Sequence, residues 1–146
     1  MALSLAPTST ELQGELGACL LAGGQPDRAL PHLERAATAQ PDNPRFQAHQ
    51  ALALRALRRL DEALPHLERA VALAPGLAEL HANLASTLES LGRNQDARDA
   101  ALEALRLDPE QSLAGLVLAQ LDREAGEHEQ AHARLGVLLA GPLSSQ

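Results

Sequence analysis

His128, Glu129 and His132 spell HEQAH, a group of residue types and spacings that would suit metal chemistry. In an HExxH arrangement two imidazoles one helical turn apart hold zinc and the glutamate serves as base. Such a zinc needs a third protein ligand. After Glu129 the chain offers no Asp, Glu or Cys and no His beyond His132, and Gly136 stands one place too late for the extended HExxHxxGxxH pattern. The motif is therefore read as the solvated start of a helix, with no metal expected. The other reactive side chains point the same way. His32 and His66 are the same letter of a duplicated ALPHLERA segment, and His49 and His81 do not share a repeat position. Cys19 is the only cysteine, so it has no partner for a disulfide or redox pair, and beside Leu20 it reads as a half-buried apolar residue. GGQPD at 23–27 has no preceding strand, Lys or Ser/Thr to make a phosphate loop. No catalytic residue and no cofactor are expected.

The elements that carry these residues follow from composition. Of 146 residues, 29 are Ala and 31 are Leu, whereas Ile, Trp and Tyr are absent and there are three Val, four Thr and one Phe. Residues that fit a pleated sheet could hardly furnish one strand, so the chain is expected to be all-α. A net charge of −7 repels phosphate backbones and anionic lipid, which argues against nucleic acid or membrane as partner. MALSLAPTS lacks the basic and apolar segments of a signal peptide, and no run of eighteen apolar residues occurs. With one thiol, this predicts a soluble, cytoplasmic protein.

ALPHLERA occurs at 29–36 and again at 63–70, an offset of 34 residues. The same offset aligns Ala29, Ala63, Ala97 and Ala131, then Ala36, Ala70 and Ala104 with Leu138 breaking the series, then Pro41, Pro75 and Pro109. Four units are expected at 10–43, 44–77, 78–111 and 112–143, between a head at 1–9 and a tail at 144–146. Leu12, Leu16 and Leu20, or Leu84, Leu88 and Leu91, recur at helical spacing, giving two amphipathic stripes per unit. Gly23, Gly24, Gly92 and Gly126 fall between the two helices of their units, where the chain must turn tightly. Asp27, Asp61 and Asp96 are expected as caps or first-turn acids of the second helices, Pro31 and Pro65 in or near their first turns, and Asn43-Pro44 as cap and first helical residue.

These columns resemble the tetratricopeptide repeat, a 34-residue helix-turn-helix unit. Leu16, Gly17, Leu20, Ala29, Leu33, Ala36 and Pro41 match its pattern in the first unit, and Leu84, Ala85, Leu88, Ala97, Ala104 and Pro109 in the third. The second has Gln50 where Leu is usual. The fourth places Asp122 at the tyrosine column, Leu138 at the second Ala column and Pro142 one residue early. Gln13, Gln47, His81 and Gly115 occupy the Trp column, which predicts shallower packing. The resemblance implies a right-handed helical-repeat solenoid of about four units that serves as a protein-interaction scaffold or adaptor and not as an enzyme.

By the same resemblance the first helices line a concave groove. The unit at 44–77 carries +2 while the others carry −3, −4 and −2, so Arg45 and Arg55 offer forked donors to an acidic protein or peptide, with Asn83 bonding its backbone. Arg45, His49, Leu52, Arg55, Asn83, Ser86, Gln120 and Arg123 form the expected partner-binding set. Some family members clamp the acidic end of heat-shock chaperones with Lys and Asn. Here Gly14, Ala18 and Glu79 stand in those places, which disfavours that ligand. Two alternatives remain open. The chain self-associates as a homo-oligomer through Leu135, Leu138 and Leu139, because no polar capping helix follows them, or it is the accessory region of a larger sulfotransferase- or glycosyltransferase-like enzyme.

Overall fold

The computed structural model describes residues 9–140, apart from the side chains at 128, 129 and 140. Eight α-helices and no strand occur among the described residues: α1 (Ser9–Ala22), α2 (Pro26–Ala39), α3 (Pro44–Ala56), α4 (Leu60–Leu73), α5 (Ala78–Ser90), α6 (Asn94–Leu107), α7 (Ser112–Glu124) and α8 (His128–Ala140). The chain is an all-α helical-repeat protein. Helices α3, α5 and α7 begin 34 residues apart, at Pro44, Ala78 and Ser112. The helices fall into two compact units, one holding α1–α4 and the other α5–α8.

Within each helix pair the turn is closed by backbone hydrogen bonds. In the first, the Gln25 amide donates to the Leu20 carbonyl at 2.9 Å and the Gly24 amide to that of Leu21 at 3.0 Å. This double closure needs a left-handed residue just past the helix. Gly24, Gly92 and Gly126 supply it with φ of 77°, 79° and 83°, and Arg58 holds the same column at 65°. The next helix then starts on Gln25, Arg59 or Arg93, none of which caps with its side chain. Asp27, Asp61 and Asp96 lie in the first turns, where a negative charge meets the exposed amides. Asn43 does cap, accepting from the Arg45 and Phe46 amides at 3.0 and 3.4 Å, with Pro44 as first helical residue.

Pro31 and Pro65 depart from expectation. α2 begins at Pro26 and α4 at Leu60, which puts each proline in the second turn, inside its helix. Each deletes the amide that would bond to the carbonyl of Asp27 or Asp61. Prolines and acids alike are exposed, so water reaches the freed groups.

The core of each compact unit is built on the alanine columns. Ala29, Ala36, Ala63 and Ala70 are fully buried in the first unit, as are Ala97, Ala101 and Ala104 in the second. Methyl side chains let paired helices approach closely, and Leu33, Leu67 and Leu118 fill the space beside them. At two places even a methyl is too large. A Cβ on Gly14 would stand 2.3 Å from the ring of Phe46, and one on Gly17 would stand 2.5 Å from Leu33. Phe46, the lone aromatic residue, therefore sits over a glycine and clusters with Ala36 and Ala37.

The Trp column is filled by hydrogen bonds instead of volume. The Gln47 amide donates to the Pro41 carbonyl at 2.9 Å, and its Oε1 accepts from His66 Nδ1 at 2.7 Å. His81, one repeat later, donates through Nε2 to the Pro75 carbonyl at 2.8 Å. Gln13 likewise accepts from His32 Nδ1 at 2.7 Å. A carbonyl or amide oxygen can only accept, so these contacts fix which ring nitrogen of each histidine carries the proton. Burial pushes the His66 imidazole below its ordinary value, against the pull of Glu34 and Glu62.

In the fourth helix pair two exceptional residues compensate each other. Gly115 replaces the Trp-column side chain on α7, and the Cδ atoms of Leu138 on α8 lie 3.1 Å from where a Gly115 Cβ would be. The leucine that interrupts the alanine column occupies the space the glycine vacates.

Candidate interaction surface

The residues singled out from the sequence are helix-face residues, and helix geometry decides which of them meet. On α3, Arg45, His49, Leu52 and Arg55 recur at spacings of four, three and three and form one stripe. Arg45 is exposed but engaged, its guanidinium bonded to Glu15 of α1. His49, Leu52 and Arg55 are half-buried. A ligand carboxylate at Arg45 would have to compete with Glu15, an exchange between two solvated ion pairs that gains little.

On α5, Asn83 and Ser86 are buried, and the Asn83 carbonyl accepts from Thr87 Oγ1 at 2.9 Å. Ser86, Gln120, Arg123 and Leu135 are brought together in an open depression of about 400 Å³ between α5, α7 and α8, completed by Glu89, Leu113, Leu116 and Val117. Asn83 is not among its lining residues. Along its rim Arg123 donates to Gln120, and the Gln120 amide donates to Glu124 at 2.8 Å.

Leu113, Leu116 and Val117 were outside the expected binding set, and the repeat shows their significance. Leu113 shares its column with Glu11, Arg45 and Glu79, Leu116 with Gly14, Ala48 and Ala82, and Val117 with Glu15, His49 and Asn83. Only the fourth unit turns all three columns apolar. Leu116 remains 49% exposed, so folding alone does not consume it.

Behind the depression lies a polar cluster that the sequence pattern marked only as a misfit. Asp122, at the tyrosine column, is fully buried and accepts from Arg98 Nη1 of α6 at 2.9 Å and from Arg134 Nε of α8 at 2.6 Å. Burial pushes its carboxyl up, but the hydrogen bonds from Arg134 and Arg98 outweigh this and hold it below the usual carboxylate range. One carboxylate thus ties three helices together.

Of the residues expected to self-associate, Leu135 lines the depression, Leu138 packs on Gly115, and Leu139 points outward. The side chains of His128 and Glu129 lie outside the described residues, His132 is exposed, and Cys19 is exposed on α1 instead of half-buried as expected. Among the described residues no three His, Cys, Asp or Glu side chains gather as a metal site, and no helix is long and apolar enough to cross a membrane.

Paired helices of this length, repeated every 34 residues around small-residue columns, define a helical-repeat protein of the interaction-scaffold class. The chain belongs to the tetratricopeptide repeat family: models described as tetratricopeptide repeat match residues 15–78 and 78–111. Similar solved structures include MamA MSR-1, 27% identical with a TM-score of 0.73 over 86% of this chain and 72% of that one. MamA AMB-1 is 26% identical with a TM-score of 0.75, over 87% and 75% of the two chains. Another MamA crystal structure, at 19% identity and a TM-score of 0.81 over 95% and 81%, bears on the fold alone. No curated protein matches the chain.

Proposed function

We propose that this chain is an adaptor whose first-helix faces bind a peptide or partner helix, anchored in the depression on α5, α7 and α8. The observation that carries the proposal is the apolar step Leu113, Leu116 and Val117, where the corresponding columns elsewhere are small or polar. An apolar side chain of the partner fills the step, while Glu89, Arg123, Gln120 and Ser86 bond its polar neighbours, the usual division between anchor and rim. The α3 stripe of Arg45, His49, Leu52 and Arg55 is the corresponding face of the other compact unit, with Arg45 held by Glu15. No chemical step belongs to this function. The single thiol of Cys19 supports a cytoplasmic setting.

Selection of a random peptide library on the wild-type chain tests this. Selected peptides should share an apolar anchor and bind Leu116→Glu at least about tenfold more weakly, the loss of one buried anchor. Leu116 is half-exposed, so the variant keeps its fold, which circular dichroism checks. Peptides that bind both proteins equally would overturn the assignment.

A further inference from the structure

The net charge of −7 is not shared evenly between the two compact units. Residues 1–74 carry −1, with eight acids against seven arginines, and residues 75–146 carry −6, with eleven acids against five arginines. Those five arginines are already engaged. Arg93 pairs with Asp96, Arg106 pairs with Glu103, Arg98 and Arg134 share the buried Asp122, and Arg123 donates to Gln120. The acids outnumber them, and one stands in the depression. Glu89 belongs to the wall that α5 contributes, is half-buried, and forms no ion pair among the described residues.

Water compensates a half-buried carboxylate poorly, and a ligand cation compensates it well. We propose that the partner segment in this depression is basic: an apolar anchor sits on the step of Leu113, Leu116 and Val117, and an Arg or Lys about three residues away pairs with Glu89. This rests on the reading of the depression as a peptide site and adds the chemistry of the partner to it. The spacing follows from the repeat. Glu89 stands seven positions later in its unit than Leu116 does, an axial step of about 10 Å at the helical rise. An extended chain covers that distance in about three residues. Both walls belong to one compact unit, in which α5 packs directly on α7. Arg123 shares the repeat column of Glu89, but its hydrogen bond to Gln120 keeps it on its own helix. The expected acidic partner rested on Arg45 of α3, which Glu15 engages, whereas the sign here is reversed. At longer range the excess negative charge of residues 75–146 draws in a basic chain and repels an acidic one.

Peptides selected from a random library on the wild-type chain test the proposal, with their affinities read by fluorescence anisotropy. They should carry net positive charge, with Lys or Arg recurring about three residues from the apolar anchor, and bind more weakly as salt rises. Glu89→Gln should weaken them about fivefold to tenfold, with helix content unchanged. Glu89→Ala replaces that variant if it loses helix. Selection on Glu89→Arg should return the same anchor with Asp or Glu in place of the basic residue. Leu116→Ser removes the anchor contact without adding charge, so the two readings fail separately. Peptides that are weakened by Leu116→Ser yet bind Glu89→Gln like wild type, or that are neutral or acidic, would overturn this inference and leave the peptide site standing. Peptides indifferent to both variants, or a selection that returns no binders, would overturn both.

Discussion

Replacing Arg58 by glycine should stabilise the protein. Arg58 has φ of 65° in a column otherwise filled by Gly24, Gly92 and Gly126. Its backbone must stay there, because the Arg58 amide donates to the Arg55 carbonyl at 3.0 Å and the Arg59 amide to the Leu54 carbonyl at 2.8 Å, closing the α3–α4 turn. A non-glycine residue in this region costs about 1–2 kcal/mol. Glycine returns roughly 0.5–1 kcal/mol of that through the freedom it adds to the unfolded chain. The Arg58 side chain is exposed, so its removal subtracts little packing. The net gain is about 0.5–1 kcal/mol. With a urea slope of about 1–3 kcal/mol/M, the midpoint should rise by roughly 0.5 M. Urea titration followed by helical circular dichroism reads this, since the chain lacks Trp and Tyr. The reciprocal Gly92→Arg should lower the midpoint by a similar amount. An unchanged or lower midpoint for Arg58→Gly would refute the assignment of strain to this residue.

Asp122→Asn should destabilise by about 2–3 kcal/mol, at the low side for a broken buried pair because Arg98 and Arg134 keep some water; amide exchange in α8 should quicken, and unchanged exchange there would contradict the tie. The Asp122 carboxyl lies below its ordinary value, so its contribution is complete above the unfolded value and is lost as pH falls through the lowered one. Gly115→Ala should cost about 1–3 kcal/mol by overpacking on Leu138, and adding Leu138→Ala should recover part of it in a double-mutant cycle; strict additivity would show the two do not compensate. His66 lies below its ordinary value, chiefly through burial, so stability should decline as pH falls below the unfolded imidazole value of about 6.5. The decline should be shallower in His66→Gln, and equal pH dependence in the two proteins would assign the effect to other groups.

Much of the architecture was legible because repetition multiplies weak signals. A 34-residue offset placed the turn glycines and the alanine columns, and Asn43-Pro44 announced its cap. The prolines lie slightly deeper in their helices than expected, since the helix starts on Gln25 and Arg59 have no capping side chain to reveal them. The Gln and His residues of the Trp column read as missing packing. A letter pattern shows the loss of a ring but not the carbonyl of Pro41 or Pro75 that takes its place. For the interaction surface, helix periodicity named the right faces but favoured charge. It selected Arg45, which Glu15 engages, and left Leu116 as a groove-facing position outside the binding set, because its meaning rests on an exposure that sequence does not print. Asp122 was visible only as a wrong letter, because its partners come from 24 residues before and 12 residues after.

The exchange between Gly115 and Leu138 has a consequence for how such arrays change. Scored column by column, one compensated exchange counts as two independent mismatches, and the matched family models end at residue 111, before either position. The pair nevertheless behaves as a single character, with side-chain mass moved from one helix to its neighbour. Either half inherited alone leaves a void or a collision, so the unit of recombination in this chain is the whole hairpin. Grafts, shuffled libraries and gene duplications that cut between α7 and α8 should fail where cuts in the loops between hairpins succeed.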